Sequence, residues 1–371
     1  MLDATQEVAA TTPTKRNHYV PQFLQEYFVD DDGNLWVYDK DGGDPRRQKP
    51  IDTGVEKFLY TVRKKDGQHD DSLERYFAGL EGATKPILDR LIQPGSRITE
   101  DEKPLLAQFM AFMHTRVPRS IEAASEMGSA LWLDEMRELA ADDERFNALY
   151  AEMLEEHPEW DMPSAEVMRQ SFDLLESGEL EVSVNRQVAL GASLNVSGAL
   201  FKTLMALNWT ICDAPSGSSF LTGDSPVGSI AIHDDGMAQF GANFVHPNFQ
   251  VSFPISPTVC LHLTRAPRQA RYRCGRKLVR ELNRRTSYMA ERFVYSRFRS
   301  KATAQLVREA AAETHGRSKL HADEARRLFK KVRSLVDDPN HEKRLPGGLP
   351  DEIPDPRKRM EPTGGFEPPT C

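Results

Sequence analysis

Near residue 208 the hydrophobic pattern of this chain changes period, and few architectures accommodate that change. Before Leu207 the apolar residues recur every three or four positions, the spacing of one helix face. Ser72 opens such a stripe with Leu73, Tyr76, Phe77 and Leu80, which predicts a helix to about Ile92 with irregularity at Gly82 and Pro86. Thr99-Glu100-Asp101-Glu102 has the form of a capping box. The helix after it carries Leu105, Leu106, Phe109, Met110 and Met113 and stops before Pro118. Residues 120–181 read as mostly helical, and a long apolar helix is predicted from about Asn185 to Leu207.

Beyond 208 the apolar residues fall into short runs separated by Gly, Pro, Asp and Asn, as in strands. The runs are Trp209–Cys212, Ser219–Thr222, Val227–Ile232, Phe249–Phe253 and Val259–Leu263. The first two read as a hairpin around Pro215-Ser216-Gly217. A helical period returns from about Tyr272 to Phe293, followed by a short strand at Val294-Tyr295-Ser296 and interrupted helices to about Val336. Upstream, a short helix is expected over Phe23–Phe28 and strands at Leu35–Tyr38 and Lys57–Val62. The expected class is α+β: a largely helical N-terminal and middle part, with a short-stranded antiparallel sheet formed after residue 208.

Charge divides the chain further. The net charge of −8 conceals residues 134–181, with 16 acidic residues against 3 arginines, and residues 265–301, with 13 basic residues against 2 glutamates. The acidic block makes 120–181 the candidate insertion in a single domain over 15–336. Residues 1–14 are polar and read as a flexible tail. Residues 337–371 hold 8 of the 24 prolines and read as a disordered one. Within that tail Gly365-Phe366-Glu367-Pro368 has the form of a reading frame run through the complement of a tRNA gene, which suggests a mobile or defence-related locus. No run approaches the roughly 18 uncharged apolar residues of a bilayer span, so no membrane partner is expected. The first residues lack a signal-peptide core. None of Cys212, Cys260, Cys274 and Cys371 forms a C-x-x-C pair. A reducing cytoplasm with ordinary core thiols is the expectation.

Four constellations can carry chemistry. His18 lies between Asn17 and Tyr19 just before Pro21, on a restricted backbone. It suits a general base or metal ligand, or a loop-capping hydrogen bond. Asp224, in the turn Gly223-Asp224-Ser225-Pro226, suits a divalent metal such as Mg or the orienting of a histidine, or an Asx-turn. Arg116 offers a bidentate fork for phosphate or carboxylate, or pairs with a carboxylate such as Glu81. On a helical wheel Arg273, Arg276, Lys277, Arg280 and Arg284 cluster opposite Leu278, Val279, Leu282, Met289 and Phe293. That basic face suits a phosphate backbone, plain solvation, or pairing with the chain's own acidic stretch 134–181. No phosphate-binding glycine loop, dinucleotide fingerprint, H-E-x-x-H or zinc-finger spacing is present. His157, His233, His246 and His262 are scattered.

Several segments resemble the DUF4238 family, whose activity is unknown. His18, Pro21 and Gln22 match its N-terminal H-x-x-P-Q-x-x-L pattern, and Leu24, one position before the pattern's leucine, stands at its apolar end. Leu35-Trp36-Val37-Tyr38-Asp39, Arg116-Val117-Pro118-Arg119, Phe220-Leu221-Thr222-Gly223-Asp224-Ser225-Pro226 and Phe253-Pro254-Ile255-Ser256-Pro257 are also similar, as are Asn283 and Glu291–Ser296. Gln22 and Asn283 join the candidate binding residues on this ground. The resemblance implies membership and no reaction. Two readings follow. One is a hydrolase acting on a phosphate-containing substrate, a metal-dependent nuclease or phosphoesterase with His18, Asp224 and Arg116 as its site. The other is a non-catalytic module that binds nucleic acid or protein.

Overall fold

The structure is a computed structural model that describes residues 16–60, 62–63, 69–159, 161–177, 184–232, 238–240, 244, 246–267 and 269–315. The tails 1–14 and 337–371, the helices expected beyond 315, His233 and Cys371 lie outside these residues. In chain order come β1 (Arg16–His18), α1 (Gln22–Glu26), β2 (Leu35–Asp39), β3 (Arg46–Gln48), β4 (Val55–Lys57), β5 (Val62–Arg63) and β6 (His69–Asp70). Helices α2 (Ser72–Leu91), α3 (Lys103–Thr115), α4 (Pro118–Ala140), α5 (Asp143–Glu156), α6 (Ala165–Ser177) and α7 (Arg186–Met205) follow. Then come β7 (Asn208–Asp213), β8 (Thr222–Gly223), β9 (Gly228–Ile232), β10 (Ala238–Phe240), β11 (Phe249–Pro254), β12 (Val259–Thr264) and β13 (Arg271–Arg273), and finally α8 (Arg276–Met289), β14 (Phe293–Ser296) and α9 (Lys301–His315). The fold is α+β.

The chain divides into two compact units. The first joins residues up to Val117 with Val196–Thr314. Its six-stranded sheet has the order β10-β9-β11-β12-β7-β13 and is antiparallel except for the edge pair β13–β7. Strand β12 is buried along its whole length, as expected for a central strand with both faces covered. A four-stranded sheet, β3-β2-β14-β8, sews the N-terminal strands to residues more than 180 positions later. In the second unit, Pro118–Asn195, α5 and α6 pack on α4. Phe146 stacks on Tyr150 and meets Phe172 edge-on, and Asp142 caps α5 by accepting the Arg145 N–H. The acidic stretch 134–181 falls in this unit.

Three local expectations need correction. The proposed hairpin does not form: β7 pairs with β12 and β13, while Thr222–Gly223 joins β14 in the other sheet. The stretch between them is drawn away because Asn283 takes its main-chain groups. The strand over 57–62 is broken at Phe58, whose φ of 56° lies in the left-handed region that interrupts an extended run. The helix expected from Tyr272 begins at Arg276, since Arg271–Arg273 extend along β7. By contrast α2 runs unbroken through Pro86. Among the described residues one helix, α7, is long and apolar enough by length and composition to cross a membrane, and 28% of its apolar window is buried.

Candidate active site

A cleft of about 270 Å³ opens in the first unit. It is built from both ends of the N-terminal segment. β1 pairs with β4, and Tyr19 N–H donates to Gly54 O at 2.9 Å. Gly54 has φ 59°, and a Cβ there would lie 2.9 Å from Val20 Cβ, so only glycine allows this approach. The buried Gln25 amide donates to Val20 O and Thr53 O, both at 2.9 Å, and locks the turn. Asn17 and His18 are thereby held on one wall.

Helix α2 supplies the opposite wall through Glu74, Phe77, Ala78 and Glu81, spaced i, i+3, i+4, i+7 on one face. Arg116 closes the cleft from the C-terminus of α3, where it is only 2% exposed. Its Nε donates to Tyr19 O at 3.1 Å and its Nη2 to Glu81 Oε1 at 2.8 Å. The guanidinium lies 4.8 Å over the Phe77 ring, and the Tyr60 hydroxyl donates to Arg116 O. These bonds use two of five guanidinium N–H groups.

His18 is half-buried. Its Nε2 lies 3.2 Å from Ile51 O. A carbonyl only accepts, so in the neutral ring Nε2 carries the proton and Nδ1 keeps the lone pair. Burial lowers the His18 pKa below the usual 6.5, helped by Arg16 and opposed by main-chain contacts to Ile51 and Pro50. The imidazole is therefore neutral at pH 7. Asn17 is 1% exposed, and neither its Oδ1 nor its Nδ2 has a hydrogen-bond partner. A buried amide without partners is costly, and this one lines the cleft. Gln22, on α1, also lines it and donates to Glu26.

Asp224 stands apart from this set. It is 4% exposed and does not line the cleft. Its two oxygens accept the main-chain N–H groups of Glu291, Arg292 and Phe293 at 2.8, 2.8 and 2.7 Å. Burial pushes its carboxyl up, and those three donors and Lys40 oppose the shift. Asp224 anchors the start of β14, as a structural turn residue does. Among the described residues no three His, Cys, Asp or Glu cluster as metal ligands. The divalent ion expected with Asp224 finds no ligand set there.

The basic residues divide between two environments. Arg284 pairs with Glu281 at 3.0 Å and lies over the Tyr288 ring. Arg276 and Arg280 line a second groove together with Asn283, whereas Arg273 and Lys277 are exposed and do not line it. Asn283 is a clamp: its Oδ1 accepts Leu221 N–H and its Nδ2 donates to Ser219 O. The described cysteines are buried and in no disulfide, and burial raises the Cys260 and Cys274 thiols.

Of the residues singled out from sequence, His18, Gln22 and Arg116 line this cleft, and Glu81 is the partner of Arg116. Asn17, Tyr60, Glu74 and Phe77 line it too and were not among the candidates. The Glu74–Glu81 helical spacing was the available signal for two of these. Nothing marks Asn17 except its place before His18.

The family model described as a protein of unknown function, DUF4238, matches residues 16–300. The chain belongs to the DUF4238 family. No curated protein and no solved structure matches it. The DUF4238 match covers every residue of the His18 cleft and all of α8. It ends just before α9, so the far wall of the second groove lies outside the matched region.

Proposed function

We propose that this protein hydrolyses a small phosphate-containing substrate in the His18–Arg116 cleft. The unpartnered Asn17 amide carries the reading. Desolvating both its polar atoms is unfavourable unless a ligand takes them up, and the cleft beside it also holds a neutral imidazole and unused guanidinium N–H groups. In this account Arg116, Asn17 Nδ2 and Gln22 Nε2 donate to the phosphoryl oxygens, and Asn17 Oδ1 accepts from a substrate hydroxyl or the attacking water. His18 Nδ1 accepts a proton from water as the water oxygen bonds to phosphorus. The bond to the leaving oxygen breaks, and the proton held by His18 passes to that oxygen or to solvent. The roles need no ligand from Asp224. The cleft volume suits one phosphate ester rather than a duplex, which favours a phosphoesterase over a nuclease that grips its substrate along a groove.

The test is steady-state hydrolysis of chromogenic phosphate mono- and diesters by the full chain, with and without added Mg²⁺. Turnover should fall by roughly 10²-fold or more in His18→Ala, the usual worth of a general base. Undiminished turnover in His18→Ala, or none in the parent protein on any ester, overturns the reading.

A further inference from the structure

The second groove shares no residue with the His18 cleft. It has a volume of about 350 Å³ and lies between the segment Ser218–Leu221, the first half of α8, and α9. Its floor is apolar, made of Leu221, Val279 and Leu306, the first two buried. Its rim carries Arg276 and Arg280 from α8 and, across from them, Glu309 of α9, which accepts the Gln305 amide. Most neighbouring arginines are committed elsewhere. Arg271 is held by Asp213, Arg285 by Glu281, Arg292 by Asp39 and Asp41, and Arg297 by Asp31. Among the described residues Arg273, Arg276, Lys277 and Arg280 have no carboxylate partner, and all four are exposed. Arg276 reaches only a main-chain carbonyl, Ser216 O, at 3.4 Å.

We propose that this groove binds single-stranded nucleic acid. Three features select it. The unpaired cations of the groove, Arg276 and Arg280, lie one helical turn apart on α8, so the ligand carries more than one negative group. Arg276 and Arg280 form one cationic wall beside an apolar floor, facing a polar α9 wall of Thr303, Gln305 and Glu309, and a cationic wall next to an apolar floor suits an unstacked base beside its phosphate. A duplex offers no exposed base face to such a floor and would meet only the rim. Two of its three walls are held together, because Asn283 ties α8 to Ser219 and Leu221 by two hydrogen bonds.

The experiment is a fluorescence-anisotropy titration of a labelled pyrimidine oligonucleotide of about 12 bases into the full chain, over a range of salt. The double variant Arg276→Gln/Arg280→Gln should lose at least about tenfold in affinity, and its salt slope should fall by about 1.4, the share of two phosphates on a single strand. Both side chains are exposed, so the fold should survive, which circular dichroism checks. Arg276→Lys/Arg280→Lys should restore most of the binding. His18→Ala should bind as the parent does, which keeps this result separate from the hydrolase reading. The proposal is overturned if the parent chain does not bind at low salt. It is also overturned if the glutamine variant binds equally well, or if a duplex or a glutamate-rich peptide of equal charge binds as tightly.

Discussion

Arg116 Nη2 lies 2.8 Å from Glu81 Oε1, with the arginine side chain 2% exposed and the glutamate 25% exposed. The pair joins α3 to α2, and Arg116 also binds Tyr19 O next to His18. One buried cation thus sets the geometry of three cleft segments. Replacing it by alanine strands Glu81 and the Tyr19 carbonyl and leaves a void beside Phe77. Arg116→Ala should lose about 3 kcal/mol of stability, near the low end for a broken buried pair because Glu81 is partly solvated. Urea denaturation measures this. Arg116→Lys should lose less, since it keeps the charge but not the fork.

Asp224→Ala leaves three main-chain N–H groups without their acceptor at the start of β14. A loss of about 3 kcal/mol or more is expected, at roughly 1 kcal/mol for each orphaned donor. Asp224→Asn keeps one carbonyl oxygen and should lose less. Turnover per folded molecule should stay within a few-fold of the parent in both. A selective loss of turnover in a fully folded Asp224→Asn protein would return this carboxylate to the catalytic machinery.

His18 gives a pH dependence with a definite sign. Its folded pKa lies below the 6.5 of the unfolded chain, so below pH 6.5 the unfolded state takes up the proton first. The stability associated with neutral His18 is fully present above pH 6.5 and declines as pH falls from there towards the folded pKa. As a general base, His18 should also give turnover an acid limb centred below pH 6.5. Histidine titration followed by NMR, set beside the pH–rate profile, checks both. An acid limb centred above 6.5 would point to a different base.

Gly54→Ala forces a side chain into left-handed backbone 2.9 Å from Val20 Cβ. A cost of about 1–3 kcal/mol is expected. The turn that carries Asn17 and His18 should loosen with it, so KM should rise more than kcat falls. Thermal denaturation and steady-state kinetics separate the two effects.

What could be read from sequence depended on how far apart the interacting residues lie. The α2 and α3 stripes, the central strands and the buried face of α8 follow from local periodicity, and the structure places them there. Glu102 Oε2 accepts the Thr99 N–H, half of the expected capping box. The hairpin failed because strand choice rests on contacts remote in sequence. Phe220 N–H binds Pro257 O, and Asn283 binds Ser219 and Leu221, which no local pattern announces. The basic face was legible as composition, but the neutralisation of Arg284 by Glu281 and of Arg292 by Asp39 was not. His18 and Arg116 were legible as chemistry. Their meeting depends on the Gly54 turn and on the C-terminus of α3, and Asp224 was drawn instead to main-chain donors.

Isothermal titration of a non-hydrolysable phosphonate analogue into the parent chain and into Asn17→Ala tests the account most directly. The buried amide of Asn17 has no partner inside the protein, so its removal costs little stability and acts mainly on the ligand. The account predicts binding to the parent, at least about tenfold weaker in Asn17→Ala, as befits one lost hydrogen bond to a charged group, and unchanged in Asp224→Asn. Equal affinity in the parent and Asn17→Ala would contradict it and remove the phosphate ester from this cleft.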